Sequence, residues 1–510
     1  MLRKALIHGG RSVRSAQTGR PRGEAAPIGN GNTFMVATSA PGQARWSSRA
    51  AFVLAATGSA VGLGNLWRFP TEAGLNGGGA FVFFYILCVA LIAAPLLLAE
   101  TLIGRHGQRS TIGSAAYLAR QSGASPAWSA LAIVGLVANT LILTFYGVVA
   151  GWVIYFVGST GMDLFGTMAA GQPLAGLYAD STVEEISVLM PNLFANPGLL
   201  VAMQAVFVVL TVWIVARGVK GGIEAAAVWL MPAFFFLLIG ITIYAAITGD
   251  FGAALTFLFT PDFERALQPG VLSSALGQAF FSLSLGGGAM IAYGAYASRD
   301  TNMGSTSGII ALADTGVAII AGLAIFPIVF SVGLQPDAGP TLMFQTLPAA
   351  FHAMPAGAVV GFLFFVLVLF AALTSSVSLL EISVSWVIEK FRMSRVKASV
   401  ILGIIVFLVG LLSAFSFNLL AEQRPIPFIP GFENAGWFDA IDGITSKLLL
   451  PLSGLITALF IGWVADRKLV NAETGLTGGV LGAWRFLIAW LCPLAVTAIL
   501  IVGMFPQLLG

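Results

Sequence analysis

Asp314 lies in the middle of the apolar run GIIALADTGVAIIAGLAIFPIVF. A carboxylate at that depth costs about 2.5–3.5 kcal/mol to insert and marks an ion path by default. Two further apolar stretches, AATGSAVGLGNLWRFPTEAGLNGGGA at 55–80 and GQAFFSLSLGGGAMIAYGAY at 277–296, carry glycines and polar side chains at their centres. A helix interrupted inside a membrane frees amide and carbonyl groups that lipid cannot satisfy, so each break must line a cavity or a water-filled path. Freed carbonyls beside hydroxyl and amide side chains suit a hard cation such as Na+, and the half-helix ends aim partial charges into the gap. Two glycine-broken spans in corresponding positions of two chain halves point to the central site of a transporter.

The elements that hold these residues are membrane helices. Of the 510 residues 57% are hydrophobic and 9% charged, with a mean hydropathy of +0.91, whereas soluble globules carry charge on about a quarter of their residues. A net charge of +3 gives no reason to expect nucleic acid as a partner. Cys88 and Cys492 sit in apolar runs as packing residues and indicate no disulfide framework. His8, His106 and His352 fall in the tail and loops, and the sequence shows no histidine pair or activated nucleophile, so the pattern is not that of an enzyme.

Eleven runs are long enough for a hydrocarbon core of ~30 Å, which takes about 20 apolar residues. They are 47–72, 79–104, 127–160, 198–216, 222–248, 269–298, 303–332, 357–390, 396–418, 438–465 and 481–508. The proline-interrupted stretch 335–355 is too broken to span and is expected to form an external re-entrant hairpin. Basic short loops stay cytoplasmic. With the N-terminus inside, Arg105, Arg109, Arg120, Arg217, Lys220, Arg299, Lys390, Arg392, Arg395, Lys397, Arg467 and Lys468 fall on that side, and Asp163, Asp180, Glu184, Glu185, Asp262, Glu264 and Glu433 outside. This predicts a multi-pass protein of the plasma (inner) membrane with Gly510 outside. Residues 1–44 hold six basic residues against Glu24 and read as a disordered cytoplasmic tail. A targeting presequence, or true initiation at Met35, fits the same composition.

Between Trp46 and Phe81, WSSRAAFVLAATGSAVGLGNLWRFPTEAGLNGGGAF resembles the first span of the neurotransmitter:sodium symporter family, and FFSLSLGGGA at 280–289 resembles its sixth. The likeness extends from about 46 to about 493, with GLGNLWRFP and NGGGAF its most specific pieces. It implies an all-α polytopic membrane protein with a 5+5 inverted-repeat transporter fold of about 11 transmembrane helices, spans 1 and 6 being unwound at mid-membrane. Within a transporter domain of 45–510, the first repeat covers about 45–250, the second about 265–466, and an additional span about 481–508. The family often has twelve spans.

The resemblance implies two sodium sites. One would use the Ala60 carbonyl, Asn65, Ser282 and Asp314; the other, the Gly58 and Val61 carbonyls with Ala371, Thr374 and Ser375. Positions 371, 374 and 375 share one helix face, although membrane serines and threonines more often bond a carbonyl one turn back. Asp314 stands where the family more usually has asparagine, so its charge is expected to balance the cations in place of chloride. Tyr85, Gln278 and Ser282 match a chloride shell, while Ala318 occupies the place of the serine of chloride-dependent members.

An amino-acid carboxylate would meet a helix N-terminus at Gly62 and Gly64, with the Ala60 carbonyl and Ser282 nearby. Monoamine-selecting relatives carry aspartate at the position of Gly62. Tyr146, in LTFYGVVAGW, matches the tyrosine that binds the carboxylate, and the side-chain pocket would be walled by Ile142, Tyr146, Phe281, Ser284, Gly287, Ser376 and Leu379. The family's leucine transporter has phenylalanine at the position of Gly287, so the missing ring points to large apolar or aromatic substrates.

Arg68 and Asp442 match an external gate pair above Phe281 and Tyr146. On the inner side Gln43 replaces the family's latch arginine, so Arg45 or Arg49 is expected to reach Tyr296 and Glu389. Glu100 is expected to cap the unwound part of span 6, and Glu72 and Glu381 have no assigned role. The reading is sodium-coupled symport of a neutral amino acid by alternating access, in which spans 1, 2, 6 and 7 rock against the rest. Substrate and bilayer are the expected partners; oligomeric state is not legible. A proton-coupled transporter of the same fold is the nearest alternative, and a transport-like channel or sensor a more distant one.

Overall fold

A computed structural model describes residues 45–260, 262, 264, 268–336 and 342–504. The tail 1–44, with Gln43 and Met35, and Gly510 lie outside the described residues.

The first apolar run folds as two helices, α1 (Arg49–Ala60) and α2 (Gly64–Leu75), bent by 48° where they meet. Ser48 starts α1 by accepting the Ala51 N–H on its hydroxyl, an N-cap that satisfies an orphan donor. At the far end Val61 turns to extended backbone, φ −71° and ψ 107°, and the helix stops. There follow α3 (Gly79–Gly107), the short α4 (Thr111–Gln121), and the spans α5 (Pro126–Ala169), α6 (Pro197–Ala216) and α7 (Val219–Thr248). An outer helix, α8 (Phe251–Phe259), leads to the second broken run, α9 (Pro269–Ser282) and α10 (Ala289–Ala295).

Between α9 and α10 the chain passes through Ser284, Gly286 and Gly288 at φ +52°, +75° and +79°. Two of these three left-handed positions are glycines, which lack the Cβ that makes such backbone costly. Further along come α11 (Met303–Ser331), α12 (Leu347–Ala353), α13 (Gly357–Phe391), α14 (Arg395–Phe415), α15 (Trp437–Val464), α16 (Arg467–Thr474) and α17 (Gly478–Val502), while two short helices, Val183–Ser187 and Leu189–Ala195, lie between α5 and α6.

Among the described residues nine helices are long and apolar enough to cross a membrane, and the bent α1–α2 pair makes a tenth. Eleven were expected; the eleventh, 269–298, is divided between the shorter halves α9 and α10 and is not among these ten. Where a hairpin was expected over 335–355, the described part runs as one helical stretch, Leu342–Thr346 continuing into α12, packed on α11 and α13. At the centre α13 packs on α1, α5, α6 and α7, while α10 packs on α3. Both breaks are thereby enclosed by complete helices, as a freed backbone in a bilayer requires.

Candidate functional site

The backbone freed by the first break is met by side chains from α2 itself, from two other helices and from the second break. Asn65 Oδ1 accepts the Gly62 N–H at 3.1 Å, and Gln278 Nε2 of α9 donates to the Gly64 carbonyl at 2.7 Å. From α13, Ser375 Oγ lies 3.3, 3.3 and 3.2 Å from the carbonyl oxygens of Gly58, Ser59 and Val61. Ser284 reaches across from the second break to the Ser59 carbonyl at 3.2 Å. The second break is held by Glu100 of α3, whose Oε1 accepts the Gly286 N–H at 2.7 Å, the capping expected of it.

Three residues of the expected first sodium site and anion shell converge on the carboxylate of a fourth, Asp314. Asn65 Nδ2 donates to Asp314 Oδ1 at 2.8 Å and to the Asp314 carbonyl at 3.0 Å. Ser282 Oγ donates to Asp314 Oδ2 at 2.6 Å, and Tyr85 OH lies 3.5 Å from that oxygen and 3.3 Å from Ser282 Oγ. Gln278 points instead at the Gly64 carbonyl, and Ala318 is buried without a polar group. At the expected second site Gly58 packs on Thr374, a Cβ there falling 3.2 Å from Thr374 Cβ. The Thr374 hydroxyl bonds its own helix, at 3.1 Å from both the Phe370 and Ala371 carbonyls. This is the one-turn-back bond common in membrane helices.

Between the breaks lies a small cavity, bounded by Ala60, Gly62 and Gly64 of the first break and Ser284 and Gly287 of the second. Ile142, Tyr146, Phe281 and Leu379 form its walls as expected. Tyr146 OH is 3.5 Å from the Leu63 N–H at the start of α2. Ser376 does not line it: its hydroxyl turns away to Thr211 at 2.9 Å and to the Leu373 carbonyl at 3.0 Å, and Ser375 takes its place. Asn139 and Leu450 also face the cavity and were missed. An amide in the long apolar α5 was a usable signal for Asn139; Leu450 offered none.

The expected outer pair is not formed. Arg68 lies over the Phe281 ring, its guanidinium carbon 4.6 Å from the centroid, and its Nε is 3.8 Å from Glu72 one turn along α2. Glu72 also accepts from Asn76 Nδ2 at 3.1 Å and from the Ser274 hydroxyl of α9. Asp442 is near enough for its charge to feel Arg68, yet no ion pair joins them among the described residues.

The inner latch also differs from expectation. Tyr296 OH donates to Glu381 Oε1 at 2.7 Å, and Arg395 closes on the same carboxylate at 2.5 and 3.0 Å. Glu389, two turns or about 12 Å further along α13, is exposed and accepts the Ser110 N–H at 2.6 Å. Arg45 is exposed without an ion pair among the described residues, and Arg49 donates to Ser305 at 3.0 Å. Trp46 seals this end, donating Nε1–H to the Tyr293 carbonyl at 3.1 Å and its backbone N–H to that of Tyr296 at 3.2 Å.

A second cluster on the same side was not foreseen. Glu473 of α16 accepts from Arg105 Nε at 2.6 Å, lies 3.1 Å from His106 Nδ1, and has Arg299 at 3.7 Å. Burial alone would raise the Glu473 carboxyl, but the His106 hydrogen bond and the Arg105 charge outweigh it and hold the group below the usual carboxylate range.

The family model described as the sodium:neurotransmitter symporter family matches residues 43–165 and 181–422. The sodium-dependent transporter YhdH of Bacillus subtilis is 36% identical over 456 residues, covering 89% of this chain and 96% of its own. A sodium-dependent neutral amino acid transporter of mouse, B(0)AT2, is 26% identical over 303 residues, covering 56% of this chain and 40% of its own length. The crystal structure of MhsT in complex with L-phenylalanine superposes with a TM-score of 0.81 at 41% identity, covering 91% of this chain and 100% of that one.

Proposed function

The chain belongs to the sodium:neurotransmitter symporter family, a family of membrane transporters and not of enzymes, and we propose that it carries one neutral amino acid, large and apolar or aromatic, inward with Na+. The cavity between the two breaks carries this reading. On one side the amides leading into α2, at Leu63 and Gly64, stand beside Tyr146 as a seat for a carboxylate. Opposite, Ile142, Phe281, Leu379 and Leu450 offer an apolar wall, with Gly287 beside it. MhsT, which shares the fold, is in complex with phenylalanine.

Two sodium ions would accompany the substrate. The Ala60 carbonyl, Asn65, Ser282 and Asp314 would take one, and the Gly58, Val61 and Ala371 carbonyls with Thr374 and Ser375 the other, Thr374 swinging off its own helix to do so. The Asp314 carboxylate, receiving Tyr85 and Ser282, would stand in for chloride. Each charge moved inward through 100 mV releases ~2.3 kcal/mol, so two ions sustain a steep substrate gradient. Repeats of about 45–250 and 265–466 would rock about this site, with an additional span at 481–508 and the N-terminus cytoplasmic in the inner membrane. Arg68 would leave Glu72 for Asp442 as the outer gate closes.

The test is uptake of labelled phenylalanine, tryptophan and leucine into proteoliposomes, with Na+ exchanged for choline. Uptake should require Na+ and favour the aromatic substrates. Equal uptake in choline, driven by a proton gradient, would replace the proposal with a proton-coupled mechanism through Asp314.

A further inference from the structure

Where α4, the start of α5 and the end of α13 meet, a second crevice opens, and it shares no lining residue with the substrate cavity. Arg109, Arg120, Lys390 and Arg392 border it, with Glu389 as the one acid. Glu389 is already engaged by the Ser110 N–H at 2.6 Å. Arg109 is held at the rim by the Tyr117 ring, 4.7 Å from its centroid. Arg392 ends α13 in left-handed backbone at φ +54°, its N–H bonded to the Ile388 carbonyl at 2.9 Å, which turns the chain at the rim.

The rest of the crevice has the opposite character. Ile133 and Val137, one turn apart on α5, are 47% and 45% exposed, and Trp386 of α13 lies beside them. Both helices cross the membrane, so these side chains continue the lipid-facing surface. Charge at the span ends and hydrocarbon further in describe one ligand chemistry, an anionic head on an apolar tail. Basic pockets between spans at the membrane boundary hold such heads, and tryptophan favours the same depth. A soluble phosphate would leave the apolar wall unused.

We propose that this crevice binds an anionic phospholipid, its phosphate among Arg120, Lys390 and Arg392 and an acyl chain along Ile133 and Val137. The orientation proposed above decides only which leaflet supplies it; the binding chemistry is independent of Na+ and of transport.

The test uses the purified full chain in detergent, offered phosphatidylglycerol and phosphatidylcholine of matched acyl chains, with bound lipid counted by native mass spectrometry. Phosphatidylglycerol should be retained about tenfold over phosphatidylcholine, and Arg120→Gln with Arg392→Gln should bring the ratio near one, since each surface cation contributes to anionic-lipid attraction. Lys397→Gln, which removes an exposed charge outside the crevice, should leave the ratio unchanged. Val137→Glu, which sets a carboxylate on the acyl wall, should also lower retention. The proposal fails if the wild type shows no preference, if Lys397→Gln lowers it as much as the crevice variants, or if glycerol phosphate alone displaces the lipid at equal concentration.

Discussion

Asn65 and Asp314, 249 residues apart in sequence, touch between the first broken span and α11: the Asn65 amide donates to the Asp314 carboxylate at 2.8 Å and to its carbonyl at 3.0 Å. Both side chains are fully buried, and Ser282 closes the other carboxylate oxygen at 2.6 Å. The contact ties the break to the neighbouring helix through a negative charge. Such a charge in a bilayer is costly unless it is hydrogen-bonded or paired with a cation.

Removing that charge while keeping its shape tests what it does. Asp314→Asn should lower Na+-driven uptake by about 10–100-fold, from the ~1.5–3 kcal/mol that hydrogen bonds to charged groups contribute, and the remaining activity should become chloride-dependent. Wild-type uptake should be equal in chloride and gluconate. Loss of wild-type uptake in gluconate would contradict the role assigned to Asp314.

Gly62 has no space for a side chain. A Cβ there would overlap Ser375 Oγ and stand 3.2 Å from Tyr146 OH, where the substrate carboxylate is proposed to sit. Gly62→Ala should therefore weaken phenylalanine binding by about tenfold or more, overpacking of this kind costing ~1–3 kcal/mol. Equilibrium dialysis with labelled phenylalanine measures it; an unchanged affinity would move the carboxylate elsewhere.

At Gly287 a Cβ falls 3.2 Å from Asn139 Oδ1 and 3.7 Å from Leu450 Cδ2. A ring placed there fills the space intended for substrate. Gly287→Phe should shift the preference from tryptophan toward leucine by about 10–100-fold, the range for a buried group of this size. Competition of both amino acids against labelled leucine reads the ratio, and a retained tryptophan preference counts against the pocket.

Glu473 makes acid stability site-specific. Because its folded carboxyl lies below the ordinary value of 4.5, its contribution is full above that pH and fades as pH falls through the folded value. Glu473→Gln should destabilise the protein at neutral pH by about 1–3 kcal/mol, the cost of leaving Arg105 and His106 short of their acceptor. The gap in Tm between wild type and variant should close as the pH is lowered below about 4.5. A gap that is constant with pH would mean that Glu473 acts only by packing.

Local chemistry carried much of this structure in advance. The breaks at 61–63 and 283–288 fall where glycines and hydroxyls interrupt apolar runs, and Glu100 caps the second because a buried acid beside unwound backbone has an obvious use for its charge. The convergence of Asn65, Ser282 and Asp314 followed from the family motif. Ser376 was misplaced for a smaller reason: neighbouring residues on a helix point about 100° apart, and only the packing of α13 against α6 sets which of Ser375 and Ser376 faces the cavity.

What the sequence determined by itself is everything that depends on a residue and its near neighbours in the chain: membrane class, span extents, broken helices, the polar groups available to hold ions and a substrate. What only the tertiary structure decided is which of several competent partners meet. Arg68 had Glu72 one turn away and Asp442 on another helix; Tyr296 had Glu381 and Glu389 on one helix; Glu473 waited in a loop helix for Arg105. Ion pairs depend on separations between helices that are distant in sequence, and those separations follow from how whole faces pack, which no local pattern encodes.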